Sequence, residues 1–267
     1  MSVHSVSLKG KRNQNEDNHN IILNSSNEDN NKANINFYGI YDGHGGKFVS
    51  NFLSKNLPQF FTHIKVKYPL KKNHVEKVYS IFDNIFKSKY LKQTKQTGST
   101  CLVLIQFTKN DKKYINILNS GDCRAILCRN NLELCLTKDH KPNWPEEILR
   151  IKELGGEIIY DGYDWRIEDL SVSRAFGDLD ANPYVTSMPD LYKYKIQESD
   201  KFIVMGCDGL WDVLSNQEVI NFVLDMCYDI KNNIRYSKQQ NVAKNLAEHA
   251  IKKGSTDNVS VIVIFLN

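Results

Sequence analysis

Three aspartates stand far apart along the chain, each beside an apolar or glycine-rich stretch. Asp42 follows Phe37-Tyr38-Gly39-Ile40-Tyr41 and precedes Gly43-His44-Gly45-Gly46. Asp208 follows Phe202-Ile203-Val204-Met205-Gly206-Cys207 and precedes Gly209, with Asp212 one helical turn further on. Asp257 lies just before the apolar run Val259-Ser260-Val261-Ile262-Val263-Ile264-Phe265, and Glu16-Asp17 follow Arg12 near the N-terminus. If these points converge in the fold, several carboxylates meet. Two unit charges ~4 Å apart at an effective dielectric near 20 repel by roughly 4 kcal/mol, so such a cluster needs divalent cations. Ligands that are all oxygen select the hard ions Mg²⁺ or Mn²⁺. Taken singly, each residue has an ordinary explanation. Asp42 could sit in a glycine turn, Asp208 could cap a short helix, and Asp257 could initiate a turn. Arg12 could form a surface ion pair. His44 could be an acid, a ligand or a turn residue, and His140 reads as structural.

The elements that must position these residues come in blocks. Residues 3–8 alternate well enough for a short strand, and 35–42 read as a buried strand. The Asn- and Ser-rich stretch 24–36 reads as a loop between two strands. Helical spacing runs from Lys47 through Phe48, Phe52, Leu53, Leu57, Phe60 and Phe61, and a second helix carries Val75, Val78, Tyr79, Phe82, Ile85 and Phe86. Strands are expected at 101–105, 114–118, 124–129 and 132–136, the last two joined through Asn130-Asn131. Pro145 opens a short helix that Gly155-Gly156 stops. Residues 157–185 are mixed, with several polar turns. A buried strand at 202–207 precedes Ser215-x-x-Glu218, a capping box, and its helix. A helix at 240–253 and a strand at 259–265 close the chain. This order argues against a doubly wound parallel sheet and for antiparallel sheets with helices packed outside, the aspartates at one end.

The bulk numbers exclude several classes. The chain has 267 residues, 41% hydrophobic and 25% charged, as expected of a globular protein with a large core. With no repeat and no linker, a single domain spanning 1–267 is expected. The formal charge of +4 comes from scattered lysines, with no basic stripe for nucleic acid. No stretch is apolar enough to span a membrane. Six cysteines form no C-x-x-C pair and lie in apolar runs, as buried hydrophobes do. The expectation is a soluble intracellular monomer, in the cytoplasm or the nucleus.

Taken together and in order, these residues resemble the metal-dependent protein phosphatases, the type 2C serine/threonine phosphatases. The resemblance runs nearly end to end. It is carried by Arg12-x-x-x-Glu16-Asp17, Tyr41-Asp42-Gly43-His44-Gly45-Gly46, Gly98-Ser99-Thr100, Asn119-Ser120-Gly121-Asp122-Cys123-Arg124 and Asp139-His140-Lys141-Pro142. It continues through Ser171-Val172-Ser173-Arg174-Ala175-Phe176-Gly177-Asp178, Cys207-Asp208-Gly209-Leu210-Trp211-Asp212 and Asp257-Asn258-Val259-Ser260.

The resemblance implies an α+β fold, a four-layer αββα sandwich of two central antiparallel sheets flanked by helices. It implies two tightly bound Mg²⁺ or Mn²⁺ ions, with room for a weaker third. Asp42 would bridge the pair, with the Gly43 carbonyl and Glu16 on one ion and Asp208 and Asp257 on the other. Asp122, with Asp208 and Asp212, matches the weaker site. Arg12 matches the phosphate-binding arginine and His44 the general acid. Asp17, Asn258 and Thr100 would support the ligands from behind, Asp17 by orienting a water. The implied reaction is hydrolysis of phosphoserine and phosphothreonine in protein substrates by a metal-activated water, without a covalent intermediate. One departure is evident: Arg166-Ile167-Glu168-Asp169-Leu170-Ser171 lacks the Gly usual before this stretch and looks one residue shorter. A non-catalytic phosphoprotein binder and a metal phosphodiesterase or nuclease are the rival readings. The retained aspartates argue against the first and the missing basic groove against the second.

Overall fold

The computed structural model describes residues 2–25, 35–229 and 241–266. Residues 26–34 of the expected loop lie outside the described residues, as does Gln240, the expected start of the last helix.

Strands and helices are numbered in chain order. One sheet has five antiparallel strands in the order β1 (Val3–Leu8), β15 (Val259–Phe265), β14 (Asp200–Gly206), β8 (Arg124–Arg129) and β9 (Leu132–Cys135). The other runs β13 (Asp190–Lys195), β7 (Lys112–Ser120), β6 (Cys101–Lys109), β3 (Ile35–Tyr41) and β2 (Asn18–Ser25), also antiparallel throughout. Two smaller sheets complete the set. β4 (Gly43–His44), β5 (Gly98–Ser99) and β12 (Phe176–Gly177) form one, and the hairpin β10 (Ile159–Tyr160) and β11 (Trp165–Arg166) the other.

Side-chain alternation along the strands makes the layers. On β14, Ile203 and Met205 join Ile262, Ile264, Leu102, Leu104 and Ile117 in a core between the two large sheets. Phe202 and Val204 point the other way, into a core closed by helices α7 (Asn216–Cys227) and α8 (Val242–Lys252). The opposite sheet packs its outer face on α1 (Phe48–Asn56), α2 (Pro58–Thr62) and α3 (Lys72–Lys89), through residues such as Phe37, Leu53, Phe61 and Phe82. The order helix, sheet, sheet, helix bears out the expected sandwich. The short α4 (Leu91–Thr94) leads to β5, α5 (Pro145–Glu153) packs beside the 157–185 segment, and α6 (Asp208–Trp211) starts at the end of β14.

Local chemistry accounts for most boundaries. Ser215 caps α7 in a reciprocal capping box with Glu218. Asn130 and Asn131, both at positive φ, turn β8 into β9. The helical run read from Lys47 to Phe61 is two helices, because Pro58 lacks the N–H that would continue the first and instead opens the second. β13 is an addition that the sequence reading left out. Its exposed side alternates Lys193 and Lys195, as on a sheet edge. Five of the six cysteines are buried as expected, but Cys135 is exposed on the edge strand β9.

Candidate metal centre

The register of the sheets gathers the acidic residues. β3 and β7 both pair antiparallel with β6, so their C-terminal ends lie together and deliver Asp42 and Asp122. β14 runs antiparallel to β15, so Asp208 at the end of one meets Asp257 at the start of the other. Leu8 pairs with Val259, which brings the segment after β1, with Arg12 and Glu16, to the same edge.

Carboxylate oxygens of Asp42, Asp122 and Asp208 lie within 4.8 Å of one another. A second group, Asp17, Asp42 and the Cys207 thiol, meets the same limit directly beneath. Among the described residues neither group takes in Glu16, Asp212 or Asp257. Glu16 and Asp257 instead line the same cavity of about 470 Å³, together with Arg12, Gly43, His44, Thr100 and Asn258. Arg166, Asp169 and Ser171 close its far side.

Crowding shows in the titration of the carboxylates. Asp42 is pushed well above the usual carboxylate range, first by burial and then by Asp208, Asp17, Asp122 and Asp257. Asp208 is raised in the same way, by burial and then by Asp122, Asp212 and Asp257, with Lys141 opposing. Burial raises Asp17 to about 6 even though it accepts a hydrogen bond from Ser260 Oγ at 2.6 Å.

This donor set fits a hard divalent ion. The converging atoms are carboxylate oxygens, gathered in a buried place where a cation would offset their charge. Gly43 adds a second observation. A Cβ there would lie 2.4 Å from the Glu16 carbonyl oxygen, so only glycine lets the chain after Asp42 approach the Glu16 segment this closely. Cys207 does not add a soft ligand. Its sulfur accepts from Ser260 N–H at 3.1 Å and donates to the Asn258 carbonyl at 3.4 Å, and burial holds the thiol protonated.

The supporting residues have defined partners. Thr100 is locked to Asp42 in both directions: its Oγ1 accepts from the Asp42 N–H at 3.2 Å, and its own N–H donates to the Asp42 carbonyl at 2.9 Å. Asn258 ties the N-terminal loop to β15. Its Nδ2 donates to the carbonyls of Lys9 and Gln14, and its Oδ1 accepts from the Glu16 N–H at 2.9 Å. Arg12 Nη2 donates to Asp257 Oδ2 at 2.7 Å. Asp208 is the first residue of α6, not its cap; Cys207 holds the cap position without a side-chain bond, so the capping explanation does not account for Asp208. His140 is structural as read. It is buried, accepts from Gly121 N–H and faces Asp190 at 3.3 Å.

Two residues gain a place that sequence reasoning left unassigned. Asp178 Oδ2 lies 2.7 Å from His44 Nε2. Lys141 Nζ donates to Asp122 Oδ2 at 2.5 Å. Both stand in stretches quoted for the resemblance, which is all the sequence offers for them; the structure adds that Asp178 holds a φ of 46°, a conformation that Asp tolerates. At the cavity rim the 166–171 stretch makes a tight turn. Ile167 and Leu170 bond each other through both N–H groups at 3.0 Å, which makes Glu168 and Asp169 a two-residue turn. Glu168 takes the positive φ, 52°, where glycine is preferred.

The chain is similar to known proteins along most of its length. The family model of protein phosphatase 2C matches residues 1–259. A PP2C-like domain-containing protein, R307, of Acanthamoeba polyphaga mimivirus is 49% identical over 175 residues, covering 60% of this chain and 98% of that protein. Probable protein phosphatase 2C 11 of Arabidopsis thaliana is 35% identical over 260 residues, covering 97% of this chain and 64% of the relative. The chain spans 58% of another Arabidopsis relative, probable protein phosphatase 2C 27. Among solved structures, a C. elegans sex determining protein superposes with a TM-score of 0.87 at 25% identity, over 100% of this chain and 65% of that one. A serine-threonine phosphatase 2C from Toxoplasma gondii shares the fold, with a TM-score of 0.69 at 20% identity and 99% of each chain covered. The chain belongs to the protein phosphatase 2C family. The expectation of a protein phosphatase is borne out at the level of the family.

Proposed function

We propose that residues 1–267 form a single catalytic domain that hydrolyses phosphoserine and phosphothreonine in protein substrates with Mg²⁺ or Mn²⁺. The observation that carries this reading is the meeting of Asp42, Asp122 and Asp208 within 4.8 Å, in one cavity with Arg12 and His44. Asp42, the Gly43 carbonyl, Glu16, Asp208 and Asp257 would hold two ions, and Asp122, with Asp208 and Asp212, a weaker third. Bound there, the ions supply Lewis acidity and lower the pKa of an attacking water.

The protein side chains do the rest. Arg12 is exposed enough to swing from Asp257 to a phosphoryl group, which its planar fork matches in bidentate fashion. His44 holds a proton for the departing seryl or threonyl oxygen, and Asp178 orients its ring. Asp17, buried and held by Ser260 Oγ, would orient a water at the centre, and Thr100 and Asn258 fix the backbone on either side. No helix among the described residues is long and apolar enough to cross a membrane. The six cysteines, five of them buried, support a reducing compartment, cytoplasm or nucleus, and we expect a monomer that engages phosphoproteins and not nucleic acid.

A metal titration tests the reading. Phosphopeptide hydrolysis should rise with Mn²⁺ or Mg²⁺ and vanish with chelator, and Asp208→Ala should abolish it. A diester substrate should be cleaved far more slowly. Preference for the diester, or near-full turnover by Asp208→Ala, would overturn the assignment.

A further inference from the structure

The carboxylate edge carries its own cation. Lys141 Nζ sits 2.5 Å from Asp122 Oδ2, with the lysine side chain 22% and the aspartate 1% exposed. Both ends of this contact are fixed independently. Asp122 follows Gly121, whose carbonyl accepts from the His140 N–H at 2.9 Å. On the other side of Lys141 the chain turns at once, the Trp144 N–H donating to the Lys141 carbonyl at 3.1 Å. The preceding His140 carbonyl accepts from Ser173 Oγ at 3.0 Å, and Asp139 is held in a two-bond fork by Arg124. The ammonium therefore has little freedom to leave. It faces the oxygens that, in the reading above, would take the weaker third ion.

We propose that Lys141 is a tethered counter-cation that competes with a divalent ion for the Asp122 edge and thereby sets how weakly that edge binds metal. This inference rests on the assignment of the centre to divalent ions. The physical case is one of charge balance. Three carboxylates within 4.8 Å repel one another, and a fixed positive charge relieves that repulsion whether or not an ion is seated. The same charge stands within a few ångströms of any ion on Asp122 and repels it. Loss of the lysine charge should tighten metal at this edge and weaken the protein that lacks metal there.

Lys141→Met keeps the length of the side chain and removes its charge; Lys141→Arg keeps the charge. Mn²⁺ binding is followed by calorimetry and by the electron paramagnetic resonance signal of free Mn²⁺, and melting temperature is recorded in chelator. For Lys141→Met we expect the weakest Mn²⁺ dissociation constant to fall about tenfold or more, about 1.4 kcal/mol by the thermal constant, with a lower melting temperature in chelator. Lys141→Arg should stay near the parent in both. Where Lys141→Met does not fold in chelator, Lys141→Gln replaces it in the Mn²⁺ titration, with the same tightening expected. An unchanged or looser weakest site in the uncharged variant overturns the proposal while leaving the centre itself intact. Failure of the parent protein to bind any Mn²⁺ overturns both.

Discussion

Asp178 Oδ2 sits 2.7 Å from His44 Nε2, joining β4 to the residue that follows β12 across the short β5 strand. Burial is the largest influence on the His44 ring and works against its charge, but the bond to Asp178 and the charges of Asp178, Asp122 and Glu16 together outweigh it and raise the pKa above 6.5. The ring thus keeps its proton to higher pH than a free imidazole. Asp178→Asn should lower kcat about tenfold to a hundredfold and move the alkaline limb of the pH–rate profile to lower pH, because the acid loses its proton earlier. A limb that stays in place would separate His44 from the proton transfer.

Gly98 makes room for that pair. A Cβ at Gly98 would lie 1.9 Å from Asp178 Oδ2 and 2.6 Å from His44 Nε2. Gly98→Ala should therefore break the contact by crowding both side chains while leaving both residues in place. We expect the kinetic phenotype of Asp178→Asn plus a destabilisation of about 1–3 kcal/mol from overpacking, measured by denaturant titration.

How far the sequence foretold this site depends on the kind of contact. Asp42, Asp208 and Asp257 stand out because each adjoins a strand buried along nearly its whole length, and such unbroken apolar runs are visible in the chain. The four layers follow from burial on both faces, since neighbours such as Phe202 and Ile203 must face opposite cores. The His44–Asp178 and Asp122–Lys141 pairs were illegible for the opposite reason. Their partners are separated by 134 and 19 positions, and only tertiary register brings them together. The edge strand β13 escaped because half of it faces solvent, so its apolar signal is diluted.

The crowded carboxylates make a prediction about the protein in chelator. Asp17, raised to about 6 from 3.8, favours the folded state fully below pH 3.8 and loses that contribution as pH rises through about 6. Asp42 and Asp208, raised well above 3.8, act in the same sense. The melting temperature in chelator should therefore climb as pH falls from 8 toward 5. Asp208→Asn removes one of the crowded charges. It should raise stability in chelator by about 1–3 kcal/mol and blunt the rise on adding Mn²⁺. A variant less stable than the parent in chelator would show that the carboxylates do not strain one another.

The turn at the cavity rim makes a simpler one. Glu168 holds a φ of 52°, which costs an L side chain about 1 kcal/mol that glycine avoids. Glu168→Gly should not lose stability, and should gain up to ~1 kcal/mol less the added entropy of the unfolded chain. Equilibrium unfolding checks this, and a loss above ~1 kcal/mol would mean that the Glu168 side chain makes contacts that outweigh its backbone.

Glu147 is the residue that ties α5 to the 173–188 segment. It is 2% exposed in α5, and its two oxygens are divided between two arginines: Oε1 takes Arg174 at 2.5 Å and Oε2 takes Arg150 at 2.8 Å. Those arginines in turn hold the carbonyls of Ser173, Tyr184 and Met188. Burial works against the charged carboxylate, but the two guanidinium groups more than offset it and bring the pKa down to about 2. With a depressed folded value, the stabilisation is complete above 4.5 and is lost only as pH falls toward 2, opposite in sense to Asp17. Glu147→Gln leaves two arginines without their buried counter-charge and should cost about 3–5 kcal/mol at neutral pH. The penalty should shrink in acid, where the parent loses its own charge. Because Arg174 also bonds Asp190, which faces His140 behind Asp122, the variant should weaken Mn²⁺ binding even where it remains folded. A stable Glu147→Gln protein with unchanged Mn²⁺ affinity would show that the arginines find other partners and that the centre does not depend on this carboxylate.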